Sequence, residues 1–164
     1  MRHVISVLVE NRFGVLARVA GLFSGRGYNI ESLSVAPTTD PEISHMTIVT
    51  HGDDRIIEQV IKQLNKLVDV IKVSDLAGKS FVEREMVLIK VVAEDEKRSE
   101  VLRVVDIFRG RIIDMSPKGF IIEVTGTEEK INAMLTLLKP LGLKEIARTG
   151  FVAMLRTDQN QGKR

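Results

Sequence analysis

Few residues in this chain have side chains that could do chemistry. There are three histidines, His3, His45 and His51, and no cysteine. Thiolate zinc sites, disulfides and cysteine nucleophiles are therefore excluded together. The histidines show neither His-x-His nor His-x-x-x-His spacing, and they read as surface or edge-strand residues rather than metal ligands. No nucleophile stands beside a base, and no carboxylate pair is recognisable, so neither a catalytic residue nor a metal ligand is expected. The Gly-x-Gly of "SGRGYNI" follows a helical stretch and leads into a strand, the reverse of a dinucleotide fingerprint. What remains is "ENRFGVLARV" at 10–19, where Asn11 and Gly14 separate an apolar run from an amphipathic one. A tight turn explains both residues, since Asn and Gly tolerate positive φ at low cost, and a ligand site explains them equally well.

The elements that must carry these residues can be read from periodicity. "HVISVLV" (3–9) is a buried strand. Leu16, Val19, Ala20 and Phe23 then fall on one helical face, ended by Gly25 and Gly27. Tyr28 to Val35 and Ile43 to Thr50 flank the loop "PTTDPE" as a hairpin. Asp53 or Asp54 caps a helix bearing Ile57, Val60, Ile61 and Leu64, and "VDVIKVSDL" returns as a strand. The order βαββαβ repeats from Arg84: "EMVLIKVVA", a stripe of Val101, Val104, Val105 and Phe108, "RIIDMS" and "GFIIEVT", a stripe of Ile131, Met134, Leu135 and Leu138, and strand material over Leu143 to Leu155. Pro140 and Gly142 stop the last helix.

This pattern predicts an α+β protein of two tandem ferredoxin-like βαββαβ domains, each an antiparallel sheet with both helices on one face. The expected division is 1–76, a linker at 77–84 where Gly78 and a charge cluster interrupt two apolar runs, 85–156, and a frayed tail at 157–164. A sheet covered on one side leaves its other face bare and its edges open, so pairing with another copy or another protein is expected.

Composition bounds the partners. Lys and Arg number 24 against 22 Asp and Glu, a balance that implies no strong field for nucleic acid. The RNA-recognition domain shares the βαββαβ order, but aromatic residues make up 4% of this chain and neither third strand carries the base-stacking motif. No run of 18 apolar residues exists, and "MRHVISVLVE" is too short an apolar run to be a signal-peptide core. The reading is a cytoplasmic protein with no membrane or nucleic-acid partner.

The stretch "NRFGVLARVAGLFSGRGYNIESLSV" (11–35) resembles the ACT domain of the small, regulatory subunit of acetohydroxyacid (acetolactate) synthase. Asn11, Gly14, Leu16, Arg18, Val19, Leu22, Phe23, "RGYNIESL" (26–33) and Val35 carry the match; "DPEISHMT" (40–47), "QLNKLVDV" (63–70), "FRGRIID" (108–114) and "ARTG" (147–150) extend it over roughly 1–156.

The resemblance implies a non-catalytic subunit that activates a catalytic large subunit and confers feedback inhibition by valine, or by leucine or isoleucine. Thiamine diphosphate, Mg²⁺ and FAD would belong to the large subunit, and no cofactor to this chain. In the family's ACT dimers the effector lies between the strand-to-helix loop of one protomer and strand-edge residues of the other. Carried onto this sequence, the effector-binding residues are Asn11, Gly14, Val15, Leu16, Asn29 and Ile30, with Ser34 on the pocket border, where many relatives have Thr. On this reading the Val15 and Leu16 amides take the α-carboxylate, the two Asn amides hold the zwitterion's charged ends, and Val15, Leu16 and Ile30 line the branched side chain. Arg18 and Arg26 are expected to be solvated or interfacial, and Leu22 and Phe23 to be core. A stand-alone amino-acid sensor and an RNA-binding module are the alternative functions; co-purification with a large subunit would exclude the first.

Overall fold

In the computed structural model, which describes residues 1–157, the chain forms two units. One is Met1–Val82 together with the segment from Phe151, and the other is Glu83–Gly150.

The first unit runs β1 (Arg2–Glu10), α1 (Val15–Ser24), β2 (Ile30–Pro37), β3 (Ile43–His51), α2 (Asp54–Leu64), β4 (Val70–Asp75). Its four-stranded antiparallel sheet has the order β2-β3-β1-β4, with β1 and β3 central. Alternation along β1 and β3 turns Ile5, Val7, Val9, Met46 and Ile48 toward the helices, where they meet Val15, Val19 and Phe23 of α1 and Ile57, Val60 and Leu64 of α2. The inward stripe of α1 thus starts at Val15, one residue before the predicted Leu16, which is 42% exposed. Spacing of four residues selects Val15, Val19 and Phe23, and Leu16 lies about 100° around the helix from Val15. Asp53 is the cap of α2, accepting from the Arg55 amide at 2.8 Å.

The second unit repeats the order with β5 (Phe81–Val92), α3 (Asp95–Ile107), β6 (Arg111–Ser116), β7 (Gly119–Gly126), α4 (Glu128–Leu138), a 3₁₀ turn (Lys139–Leu141) and β8 (Leu143–Arg148). Its strands follow the order β6-β7-β5-β8. Val87, Ile89 and Val91 pack with Ile122, Val101, Ile131, Met134 and Leu138 in a core of its own. The fold is the tandem ferredoxin-like arrangement that the periodicity predicts.

Two expectations are corrected. Strand β5 begins at Phe81, inside the stretch read as a linker. The segment read as one strand over 143–155 is broken after β8: Gly150 turns the chain at φ 80°, and β9 (Val152–Leu155) lies in the first unit. There Phe151 and Ala153 pack on Val4, Val49 and Leu76, the apolar residues of β1, β3 and the end of β4 that point away from the helices. Part of the sheet face expected to be bare is therefore covered by the chain's own end. Of the predicted tail at 157–164, all but Thr157 lies outside the described residues.

Candidate functional site

The turn between β1 and α1 is built from two residues with different tasks. Gly14 takes φ 82°, the left-handed conformation that an L side chain adopts only with strain, and stands at the N-cap of α1. Asn11 does not share that conformation: among the described residues Arg109 is the non-glycine residue with positive φ. Asn11 is placed instead by hydrogen bonds, its backbone N–H donating to the Glu42 carbonyl at 2.7 Å and its Nδ2 to the Pro41 carbonyl at 2.9 Å. A carbonyl only accepts, so this contact fixes the amide orientation and leaves Oδ1 available as an acceptor.

No side chain caps α1 and its first turn contains no acidic residue. The Val15 amide reaches the Arg12 carbonyl at 3.4 Å, a long contact. The amides that an intact helix leaves open in its first turn are then those of Leu16 and Ala17 rather than Val15 and Leu16. The Val15 side chain is also corrected: it is 3% exposed in the core and cannot line a pocket. Leu16 is at the surface, and Ile30 packs half-buried against the same core as Val15.

Asn29 precedes β2, and its carbonyl accepts from Thr50 Oγ1 at 2.7 Å. That places it at the opposite end of the sheet from Asn11. Ile30 pairs with Thr50, whereas Asn11 follows Glu10, which pairs with Ile43. Seven residue steps along β3, from Ile43 to Thr50, separate these positions, about 23 Å at the strand rise of about 3.3 Å per residue. Ser34 faces the side of the sheet away from the helices and lines a cavity of about 610 Å³ that includes none of the other predicted residues. Asn11 lines a different one, about 460 Å³, with Arg12, Asp40, Pro41 and Glu42. Within one chain the predicted residues therefore do not converge on a common cavity.

Other polar residues have structural partners. The Arg18 guanidinium pairs with the Asp69 carboxylate, which is 9% exposed, and so fastens α1 to the turn before β4. Arg26 makes only a 3.5 Å contact with the Leu22 carbonyl. His3 lies on a central strand and is 2% exposed, with Nδ1 3.0 Å from Asp75 Oδ2 and Nε2 3.1 Å from Asp54 Oδ1, so it is neither a surface nor an edge residue. His51 pairs with Glu31 at 2.9 Å. No cluster of three or more His, Asp or Glu side chains among the described residues is arranged to hold a metal ion.

Two family models match the chain: the AHAS small subunit-like ACT domain over residues 5–72, and the small subunit of acetolactate synthase over 84–157. A probable acetolactate synthase small subunit of Archaeoglobus fulgidus is 58% identical over 156 residues, covering 95% of this chain and 98% of its own. The chain belongs to the acetolactate synthase small-subunit family. Another small subunit of the family, from Aquifex aeolicus, is also 58% identical, covering 94% of this chain and 81% of its own. The crystal structure of the acetolactate synthase small subunit from Thermotoga maritima superposes with a TM-score of 0.87 at 47% identity, covering 95% of this chain and 98% of that one. All the predicted effector residues of this small-subunit chain fall inside the stretch matched by the ACT-domain model.

The sheet face on which RNA-recognition domains stack bases is here a surface of Ser6, Leu8, Ser34 and His45, partly overlain by β9. The βαββαβ order predicts that this face is bare, but not which side chains meet on it. Its signal was present as the small and polar residues alternating with core positions along β1 and β2.

Proposed function

We propose that this chain is the regulatory subunit of an acetolactate synthase: it binds valine between the ACT domains of two copies, activates a catalytic large subunit, and transmits feedback inhibition to it, in the cytoplasm. The separation of Asn11 and Asn29 supports this reading most directly. A single amino acid spans far less than the about 23 Å between them, so they can share a ligand only across two copies.

The topology supports one way of doing so. Strand β2 is an edge of its sheet. Two copies related by a two-fold axis can pair their β2 strands antiparallel, each contributing the same surface. Such pairing centred on Ile30–Pro37 brings the partner subunit's Asn29 beside Pro37 and Thr38, at the end where Asn11 is fastened to Pro41. The zwitterion then meets neutral groups suited to each of its charges. The Oδ1 of Asn11 accepts from the ammonium, and the open amides of α1, with the positive end of the helix dipole, take the carboxylate. Gly14 lets the backbone approach, and the partner subunit's Asn29 closes the site.

Valine, with about eight non-hydrogen atoms, can supply roughly 2.5 to 12 kcal/mol, which spans millimolar to micromolar binding and suits a metabolite sensor. Because the ligand bridges two copies, it favours whichever dimer arrangement closes its site. A coupling of about 1 to 3 kcal/mol changes the partner's state by roughly 5- to 150-fold. Leucine and isoleucine are the competing effectors. Thiamine diphosphate, Mg²⁺ and FAD lie with the large subunit in this reading.

The test is to titrate valine calorimetrically into the chain and, separately, into its mixture with the large subunit while following acetolactate formation. Asn11→Ala, Gly14→Asp and Asn29→His are each expected to abolish the valine response and to leave activation of the large subunit in place. Undiminished valine binding in all three would overturn the site.

A further inference from the structure

The face of the first sheet that points away from the helices is laid out as rows of side chains by the strand register. One row is apolar, with Val4 against Val49, and Phe151 and Ala153 cover it. The next is made of hydroxyls: Ser34 pairs with Thr47, Thr47 with Ser6, and Ser6 with Ser74. Beyond it, Ala36 pairs with His45, His45 with Leu8, and Leu8 with Lys72. These last two rows, apart from the buried Thr47, floor the cavity of about 610 Å³, and β9 forms a wall of it with Met154 and Leu155. The wall is tethered to the floor: the Phe151 amide donates to Ser32 Oγ at 3.0 Å and the Ala153 amide to Thr47 Oγ1 at 3.3 Å.

The charge of this cavity is one-sided. Among the described residues, Asp, Glu and Arg are absent from its lining. His45 lies against Ser6 Oγ at 2.8 Å, and burial lowers its pKa from the usual 6.5, which keeps the ring uncharged at neutral pH. Among the described residues Lys72 is then the one full charge on the lining, and its ammonium has no ion-pair or hydrogen-bond partner there. A cavity of this size suits a small organic ligand, and a few polar groups set among apolar walls are what orient such a ligand.

We propose that this open-face cavity is a second ligand site, distinct from the valine site, that takes a small monocarboxylate with an uncharged apolar body. The carboxylate sits between the Lys72 ammonium and the hydroxyl row, and the body lies along Leu8, Leu76 and Met154. A zwitterionic amino acid is disfavoured, because no acidic residue among the described lining residues receives its ammonium. The inference stands whether or not the valine reading does: the two readings meet at Ser34 and at Pro37 and Thr38 on the rim, and Lys72, His45, Ser6 and Ser74 take no part in the valine site.

Hexanoate, hexanol and hexylamine, titrated calorimetrically into the full-length protein, test it. Hexanoate is expected to bind at least tenfold more tightly than the other two, and saturating valine is expected not to displace it. Lys72→Met keeps the length of the side chain and removes its charge; it should weaken hexanoate at least tenfold and leave hexanol unchanged, and the retained hexanol binding reports an intact cavity. Asn11→Ala should leave hexanoate binding as it is. The proposal is overturned if hexanoate fails to bind, if hexylamine binds equally well, or if Lys72→Met binds hexanoate as the parent does. It is equally overturned if valine competes, which would mean that hexanoate occupies the amino-acid site.

Discussion

Asn11 and Asn29 stand at opposite ends of one four-stranded sheet, the first anchored to Pro41 and the second leading into the edge strand that starts at Ile30. Residues so separated in a chain become neighbours only when a second copy reverses the strand direction beside the first. This gives the effector reading a consequence that a one-chain site would not share.

Asn11→Ala and Asn29→Ala homodimers should each fail to bind valine, yet mixing them in equal amounts under subunit exchange should restore it. Half of the dimers are then mixed and each holds one intact site of two, so about a quarter of the sites recover. Calorimetric stoichiometry measures this. If both residues served a site inside one chain, mixing would restore nothing.

Gly14→Ala forces an L side chain to φ 82° and sets its Cβ 3.1 Å from Arg18 Nη1. The far end of Arg18 can swing away, so the backbone strain of about 1 to 2 kcal/mol remains as the main cost. Urea denaturation should show a loss of that size with an unchanged m-value.

The two arginines of the motif are not equivalent. Arg18→Gln leaves the nearly buried Asp69 carboxylate without its cation, and a loss of about 1 to 3 kcal/mol is expected. Arg26→Gln gives up only the long, exposed contact to Leu22, and its effect should stay within about 0.5 kcal/mol. Parallel denaturation curves of the two variants compare them directly.

Phe151 is 6% exposed against Val4, Val49 and Leu76, so Phe151→Ala should cost about 3 to 5 kcal/mol. Hydrogen exchange should then show lost protection in β1 and β3 of the first unit, which contribute Val4 and Val49 to this cluster.

His45 is held uncharged by burial, with its pKa below 6.5 when folded. The unfolded chain therefore takes up a proton first as pH falls. Its contribution to stability is full above about pH 7 and is lost progressively as pH drops through the folded value. His45→Gln should flatten the acid side of the stability curve below about pH 7, as followed by thermal melts.

Much of this molecule was legible from the chain alone. The periods of 2 and 3.6 residues reveal which side chains face inward, because a strand or helix fixes that relationship locally. Ile57, Val60 and Leu64 on α2 and Val101, Val104 and Val105 on α3 were found in this way, as was the doubled βαββαβ order. The "RGYNIESL" stretch identified the family. Even so, Val15 and Leu16 exchanged roles, because a short amphipathic run admits a stripe shifted by one position.

Tertiary structure decided what depends on residues far apart in sequence. The hydrogen bond from Phe151 to Ser32 spans 119 positions, and no local pattern announces that the chain's end returns to cover the first sheet. Register brings Ser6, His45 and Lys72 onto one face, and strand order puts Asn11 and Asn29 at opposite ends. Periodicity reports which way a side chain points. Only strand pairing, which is non-local, determines what it points toward.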